Sequence, residues 1–350
     1  MSLDSLPPKE KLKRFGQDII VWSEMNPRPM PWNNLSDPYK VWIAEVILQQ
    51  TRVAQGISYY QKFLEKFPDV YALAKASEEE VMVAWEGLGY YSRARYLHEA
   101  ANYVVHELNG EIPDHSQELR KLKGVGPYTA AAIASFAFGE RIGVVDGNVK
   151  RVVSRIFGIE ACVDFPDVHR YIQSLVDEVV SVVPSADFNQ GIMNFGALHC
   201  VPSNPDCDRC SFQGYCRAFR EDRVVELPVR KKSIPKKERS IHFGFYMSQG
   251  KIAIFRNSSN DIWRGLYMLP QVEKEELETS ETSLSPMEII PWVLTHLNLK
   301  IHIYELSEYP ESWKENEDIM MVKSKKLGNF ALPRPLRLFL NRNSCKLEAK

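Results

Sequence analysis

The chain changes texture across residues 220–240, "REDRVVELPVRKKSIPKKERS", and no single fold class reads through both sides of that stretch. It is rich in Lys and Arg and broken by Pro228 and Pro235, as an extended linker is. Before it the pattern is helical. Asp37 and Pro38 open a helix through "YKVWIAEVILQQT", with proline in the first turn. Ser77 and Glu80 make a capping box ahead of "VMVAWEG", and Gly87 ends that segment. Further helices are expected at roughly 91–109, 128–138, 147–157, 168–183 and 188–198, with no alternating strand before residue 240. After the linker, "IHFGFYMSQGKIAIFRN" alternates around Gly250 like a hairpin and "LKIHIYEL" is strand-like. The spacing predicts an all-α domain over 1–220, a basic linker over 221–240 and an α+β domain over 241–350.

At 350 residues each part can bury its own core. The N-terminus lacks the apolar segment of a signal peptide, and no apolar run approaches the roughly 18 residues of a membrane span. A soluble, intracellular protein without membrane contact is expected. Net charge is −1, so any nucleic-acid site must be a local basic patch on a balanced surface.

Two short motifs carry chemistry. In "LKGVGPYTAAA" (122–132), Gly124 and Gly126 permit close approach to bare backbone, and Pro127 suits a helix start. The free N–H groups of such a turn can take a phosphate, although a plain connection between helices has the same glycines. The second motif is Cys200, Cys207, Cys210 and Cys216, four of the six cysteines within 17 residues; Cys162 and Cys345 stand apart. A tight cluster in an intracellular chain points to metal rather than disulfides. Four thiolates suffice for a [4Fe–4S] cluster, but the spacing leaves zinc open.

Together the hairpin, residues 116–138, and the cysteine loop, residues 200–216, resemble the DNA glycosylase superfamily that includes endonuclease III. "VWIAEVILQQT" (41–51), "WEGLGYYSRAR" (85–95), "VVDGNVKRV" (144–152) and "FNQGIMNFGALHC" (188–200) are similar to the MutY-type adenine DNA glycosylases. The resemblance runs from about residue 18 to 230 and continues more weakly to the C-terminus. It implies an all-α helix-hairpin-helix glycosylase core with an iron–sulfur loop, then a Nudix-like α+β domain. The implied activity is base-excision repair: hydrolysis of the N-glycosidic bond of adenine mispaired with 8-oxoguanine or guanine, leaving an abasic site. Double-stranded DNA is the implied partner, the [4Fe–4S] cluster on the four cysteines the implied cofactor, and a monomer in a bacterial-type cytoplasm, near the nucleoid, the implied setting.

Glu45 lies among apolar residues in "VWIAEVIL"; a glutamate in a helix is ordinarily solvent-facing, but burial here would favour its protonated form. By resemblance it protonates the departing adenine. Asp146 precedes a helix and would serve as its N-cap; by resemblance it also stabilises the cationic sugar, with Asn148 supporting the carboxylates. Tyr128 occupies the position where a lysine attacks the sugar in the endonuclease III-like enzymes that also cut the backbone. A phenol forms no Schiff base, so the resemblance implies no intrinsic lyase activity. Gln50, Thr51, Leu88 and Tyr90 match positions around the opposite, oxidised guanine, Gln190 matches an adenine contact, and Gly124 and Gly126 match the phosphate clamp. In the C-terminal part "GLYMLP" (265–270) resembles a Nudix-like segment, and Thr295 and His296 match residues that recognise 8-oxoguanine. No glutamate-rich Nudix box is present, so nucleotide hydrolysis is not expected.

Three positions depart from the family pattern: Ala44 stands where serine is common, Asn33 where arginine is usual, and Leu294 where phenylalanine is usual. A thymine–guanine mismatch glycosylase is the alternative enzyme, sharing the helical core and the Tyr128 type of site; such enzymes generally lack the Nudix-like domain. A non-catalytic DNA-binding module would need neither Glu45 nor Asp146.

Overall fold

The computed structural model describes residues 5–33, 36–232, 234–272 and 285–343; Cys345 lies outside them. The helical part comprises α1 (Lys9–Met25), α2 (Pro38–Leu48), α3 (Val53–Lys66), α4 (Val70–Lys75), α5 (Glu78–Ala84), α6 (Ser92–Glu107), α7 (Ser116–Leu119), α8 (Pro127–Phe138), α9 (Gly147–Phe157), α10 (Pro166–Val182), α11 (Ser185–Leu198) and α12 (Arg217–Arg220). Its backbone contacts group Met1–Ala72 with Glu99–Lys232 as one unit.

Sequence chemistry accounts for the helices that matter to the site. In α2 every residue from Val41 to Ile47 is buried, and Asp37 caps the helix through the Tyr39 and Lys40 amides. A helix that is apolar all round belongs inside a core, and α2 packs on α8 and α3 accordingly. Pro127 begins α8 and Gly139, left-handed at φ 72°, ends it. The α9 helix begins at the Asp146 cap, ends at left-handed Gly158 (φ 68°), and turns Val149, Val152, Val153, Ile156 and Phe157 into the core. That core joins α1, α9, α10 and α11 around Phe15, Ile19, Leu175, Phe188 and Phe195. Gly196 of α11 is required there, because a Cβ would stand 2.7 Å from Cβ of Asn148.

The second unit contains Ser233–Lys350 and also Leu73–His98. Division at the basic linker assigns residues 73–98 to the helical domain; by contact they group with the C-terminal unit. Long-range polar pairs join the two stretches of this unit. Arg337 forms a two-pronged ion pair with Glu86 at 2.6 and 2.8 Å, and the Leu332 amide donates to the same carboxylate. Arg256 similarly reaches Glu78 and Glu79.

The sheet is mixed. β1 (Lys237–Ser248) pairs antiparallel with β2 (Lys251–Arg256) across Gln249 and Gly250, the hairpin expected there, with both turn residues at positive φ. The strand starts before residue 240, so the end of the expected linker is already sheet. β1 also runs parallel to β5 (Leu297–Leu306), Ile241 facing Ile301 in the register. β4 (Glu288–Val293) flanks β5, while β3 (Tyr267–Met268) and β6 (Ile319–Lys323) flank β2. Short α13 (Glu311–Lys314) and terminal α14 (Arg334–Arg342) complete the unit. Phe243, Phe245, Ile254, Ile301, Ile303, Leu336 and Phe339 form its core.

Candidate active site

Glu45 comes from the buried helix α2 and is only 7% exposed. It lines a cavity of about 680 Å³ together with Arg28, Asn33, Ala44, Gln190 and Asn194. That is ample room for one nucleobase. Burial pushes the Glu45 carboxyl up to about 7, and the negative charge of nearby Asp146 adds to the rise; a hydrogen bond from Tyr128 opposes it. Tyr128, in the first turn of α8, also approaches the Met193 sulfur at 3.6 Å. Burial and the two carboxylates push its phenol well above the ordinary range, so it stays protonated as a donor.

Asp146 divides its oxygens as a cap and a network member. Oδ1 accepts from the Val149 amide at 2.7 Å, and Oδ2 accepts from Nδ2 of Asn148 at 2.8 Å. Burial nevertheless raises its pKa against those bonds and against Arg151. Arg151 carries the network onward, donating to Oδ1 of Asn148 at 3.0 Å, the Gly196 carbonyl at 2.7 Å and the Cys200 carbonyl at 2.8 Å. Fully buried Asn189 fixes the strand-like segment before Asp146, accepting from the Val144 amide and donating to Ser135 and to the Ile142 carbonyl.

The structure therefore brings Glu45, Tyr128, Asp146 and Asn148 together. Gln190 joins the cavity wall, donating to Asn194 at 3.3 Å. Sequence reasoning missed Arg28, Asp187 and Asn194 on that wall, and Asn189 and Arg151 behind it. Asn189 and Asn194 lie inside the quoted "FNQGIMN" run, where buried polar residues at helical spacing were the available signal. At Asn33 the amide nitrogen donates to the Arg28 carbonyl at 2.6 Å, so this departure shapes the cavity rim.

At the hairpin only one glycine needs its conformational freedom. Gly124 is left-handed at φ 77°, whereas Gly126 has φ −81°, which any residue adopts. What distinguishes Gly126 is open space: a Cβ there would meet nothing within 4 Å. Gln50, exposed after α2, is left-handed at φ 56°, and Thr51 is half-buried beside it.

Cys200, Cys207, Cys210 and Cys216 line one small cavity with Arg155 and Phe195. Burial pushes up the Cys207, Cys210 and Cys216 thiols, that of Cys210 to about 11. Arg155 anchors the loop on α9, donating to the Val201 and Pro202 carbonyls at 2.7 and 3.0 Å, with its Nη1 3.5 Å from the Cys200 sulfur. Among the described residues, no three Cys, His, Asp or Glu side chains close on a single point as ligands of one ion.

In the second unit Tyr90 is 45% exposed and left-handed at φ 47°, while Leu88 is 8% exposed. Leu88 is thus buried in this structure. Thr295 and His296 are exposed at the turn between β4 and β5, and the hydroxyls of Thr295 and Tyr90 touch. Leu294 packs against the second core.

The model of the HhH-GPD superfamily of base excision DNA repair proteins matches residues 43–178, and the NUDIX domain model matches 242–342. Fold and site thus define a base-excision repair glycosylase of the helix-hairpin-helix class with a Nudix domain attached. The adenine DNA glycosylase of Buchnera aphidicola subsp. Schizaphis graminum (strain Sg) is 33% identical over 260 residues, covering 74% of this chain and 75% of that protein. That of Mus musculus is 43% identical over 215 residues, which is 59% of this chain and 42% of the mouse protein. A thermostable thymine-DNA glycosylase structure matches with a TM-score of 0.57 and 30% identity, covering 61% of this chain and 98% of that one. The chain belongs to the adenine DNA glycosylase family.

Among the described residues, no helix is long and apolar enough to cross a membrane.

Proposed function

We propose that this protein hydrolyses the N-glycosidic bond of adenine flipped from duplex DNA, where adenine lies opposite 8-oxoguanine or guanine, and stops at the abasic site. The observation that carries this reading is the Glu45 carboxyl, with its pKa raised to about 7, lining a nucleobase-sized cavity beside a second carboxylate, Asp146. A carboxyl titrating near neutrality can hand its proton to a leaving group and take one back. As the bond from the sugar C1′ to the base breaks, the proton moves from Glu45 to adenine, and the bonding electrons leave with the base. Asp146, held through both oxygens, faces the cationic sugar with its charge. Glu45, now a carboxylate, accepts a proton from the water that adds to C1′. The neutral Tyr128 phenol orients Glu45 and offers no amine to attack the sugar.

DNA would be held without sequence reading by the open backbone at Gly124 and Gly126. Tyr90, Gln50 and Thr51 would meet the opposite base, and Thr295 and His296 would read its oxidised edge. The four cysteines would hold a [4Fe–4S] cluster. The four thiols line one small cavity with Arg155, and four thiolates suffice to hold such a cluster. Such a group would brace the loop that Arg151 and Arg155 already tie to α9. The similarity to a thymine-DNA glycosylase covers 61% of this chain but nearly all of that one, whereas this chain also carries a Nudix domain over 242–342.

Glu45→Gln tests the assignment. It is expected to abolish adenine release in a single turnover while mismatch binding persists; unchanged turnover would remove Glu45 from the chemistry. Borohydride added during turnover is expected to trap no covalent adduct, and a strong adduct would mean that the enzyme also acts as a lyase.

A further inference from the structure

The turn between α5 and α6 is held from within by one buried cation. Arg93, only 9% exposed, donates from Nη2 to the carbonyls of Gly89 at 3.1 Å and Leu88 at 3.4 Å. Its guanidinium lies over the Trp85 ring at 5.2 Å and the Tyr90 ring at 5.6 Å. The Trp85 indole donates to the same Gly89 carbonyl at 3.2 Å, and the Tyr91 hydroxyl accepts from the Gly87 amide at 3.2 Å. Gly87 and Gly89 are left-handed at φ 92° and 74°, and so is Tyr90 between them and α6. A bulky residue in that region is a true outlier, persisting only where its surroundings over-determine it. The result is a tyrosine held outward with its backbone locked behind it.

We propose that Arg93 is the positioning residue of this turn, stacking behind Tyr90 and clamping the two preceding carbonyls so that the ring meets the base opposite adenine in a preset orientation. The inference rests on the reading of Tyr90 as a contact with DNA. Arg93 acts through Tyr90 rather than on a phosphate, since its guanidinium is buried against the two carbonyls and the two rings. A lysine keeps the charge but lacks the planar fork, and so cannot replace it.

A double-mutant cycle separates these statements. Binding is measured on a duplex with an uncleavable adenine analogue opposite 8-oxoguanine, at several salt concentrations, with 2-aminopurine beside the lesion reporting unstacking. Tyr90→Ala is expected to weaken binding about tenfold and to quench the unstacking signal, as loss of one aromatic–base stack does. Arg93→Met and Arg93→Lys should each weaken it several-fold to about tenfold in the parent protein, and less than twofold once Tyr90 is alanine. The salt slope should be unchanged, whereas loss of a phosphate contact lowers it by about one. An equal loss with and without Tyr90, a lowered salt slope, or full function in Arg93→Lys overturns the role of Arg93. If Tyr90→Ala changes neither affinity nor fluorescence, the reading of Tyr90 itself fails. Should Arg93→Met not fold, Arg93→Lys alone completes the cycle.

Discussion

At the residue scale, burying the Glu45 carboxyl costs stability. The group is protonated in both states below about pH 4.5, the ordinary value, while the folded protein keeps that proton up to about pH 7. The native state therefore binds more protons across this window, and stability falls as pH rises through it. At 1.36 kcal/mol per pH unit the loss approaches about 3 kcal/mol above pH 7. Glu45→Gln, neutral throughout, should be the more stable protein by up to about that amount at pH 8 and indistinguishable near pH 4.5, by urea unfolding. With Glu45 as the proposed acid, excision should decline above about pH 7 as the carboxyl loses its proton. Tyr128 lowers the Glu45 pKa through its hydrogen bond. Tyr128→Phe should therefore move the alkaline limb of the pH–rate profile upward, and a downward move would contradict this geometry.

At the scale of elements, α9 ties capping to chemistry. Asparagine caps a helix about as well as aspartate, but carries no charge. Asp146→Asn should retain nearly all stability and lose excision by orders of magnitude in single-turnover assays. Asp146→Ala should in addition cost about 1 kcal/mol in thermal or urea unfolding. The hairpin gives a parallel case. Gly124→Ala should cost roughly 1–2 kcal/mol because φ is 77° there, while Gly126→Ala should be nearly neutral in stability and weaken DNA binding, measured at fixed salt. Sequence alone could mark both glycines as a clamp; it could not distinguish strain at one from open space at the other, since that depends on the turn's actual angles.

At the scale of the molecule, the break between helical and mixed regions was legible because periodicity is a local property. So were the capping box at Ser77, the α9 start and the hairpin at Gly250, each set by a few neighbouring residues. The apolar surroundings of Glu45 and the capping role of Asp146 were legible from their neighbours, whereas the chemistry assigned to them came from the resemblance to the glycosylases. Some of their surroundings were not: Asn189 holds Val144 from 45 positions away, and Arg28 and Asn194 reach the Glu45 cavity from distant parts of the chain. Nor was the grouping of residues 73–98 with the C-terminal unit, where pairs such as Glu86 with Arg337 join residues 251 positions apart. The side chains of that pair are 18% and 20% exposed, so Arg337→Met removes a two-pronged ion pair from a mostly buried carboxylate. A loss of about 2–4 kcal/mol is expected in the unfolding of this unit, with faster amide exchange around Tyr90.

On the proposed reading, the buried carboxylate pair, with a tyrosine where an amine would be needed for strand cleavage, removes adenine and goes no further. Single-turnover reactions on duplexes carrying adenine opposite 8-oxoguanine, adenine opposite guanine, or thymine opposite guanine test it most directly, with released base and strand integrity followed together. Free adenine, fastest opposite 8-oxoguanine, and an intact strand bearing an abasic site are the predicted result. Thymine released faster than adenine, or a strand cut without added base, would contradict it.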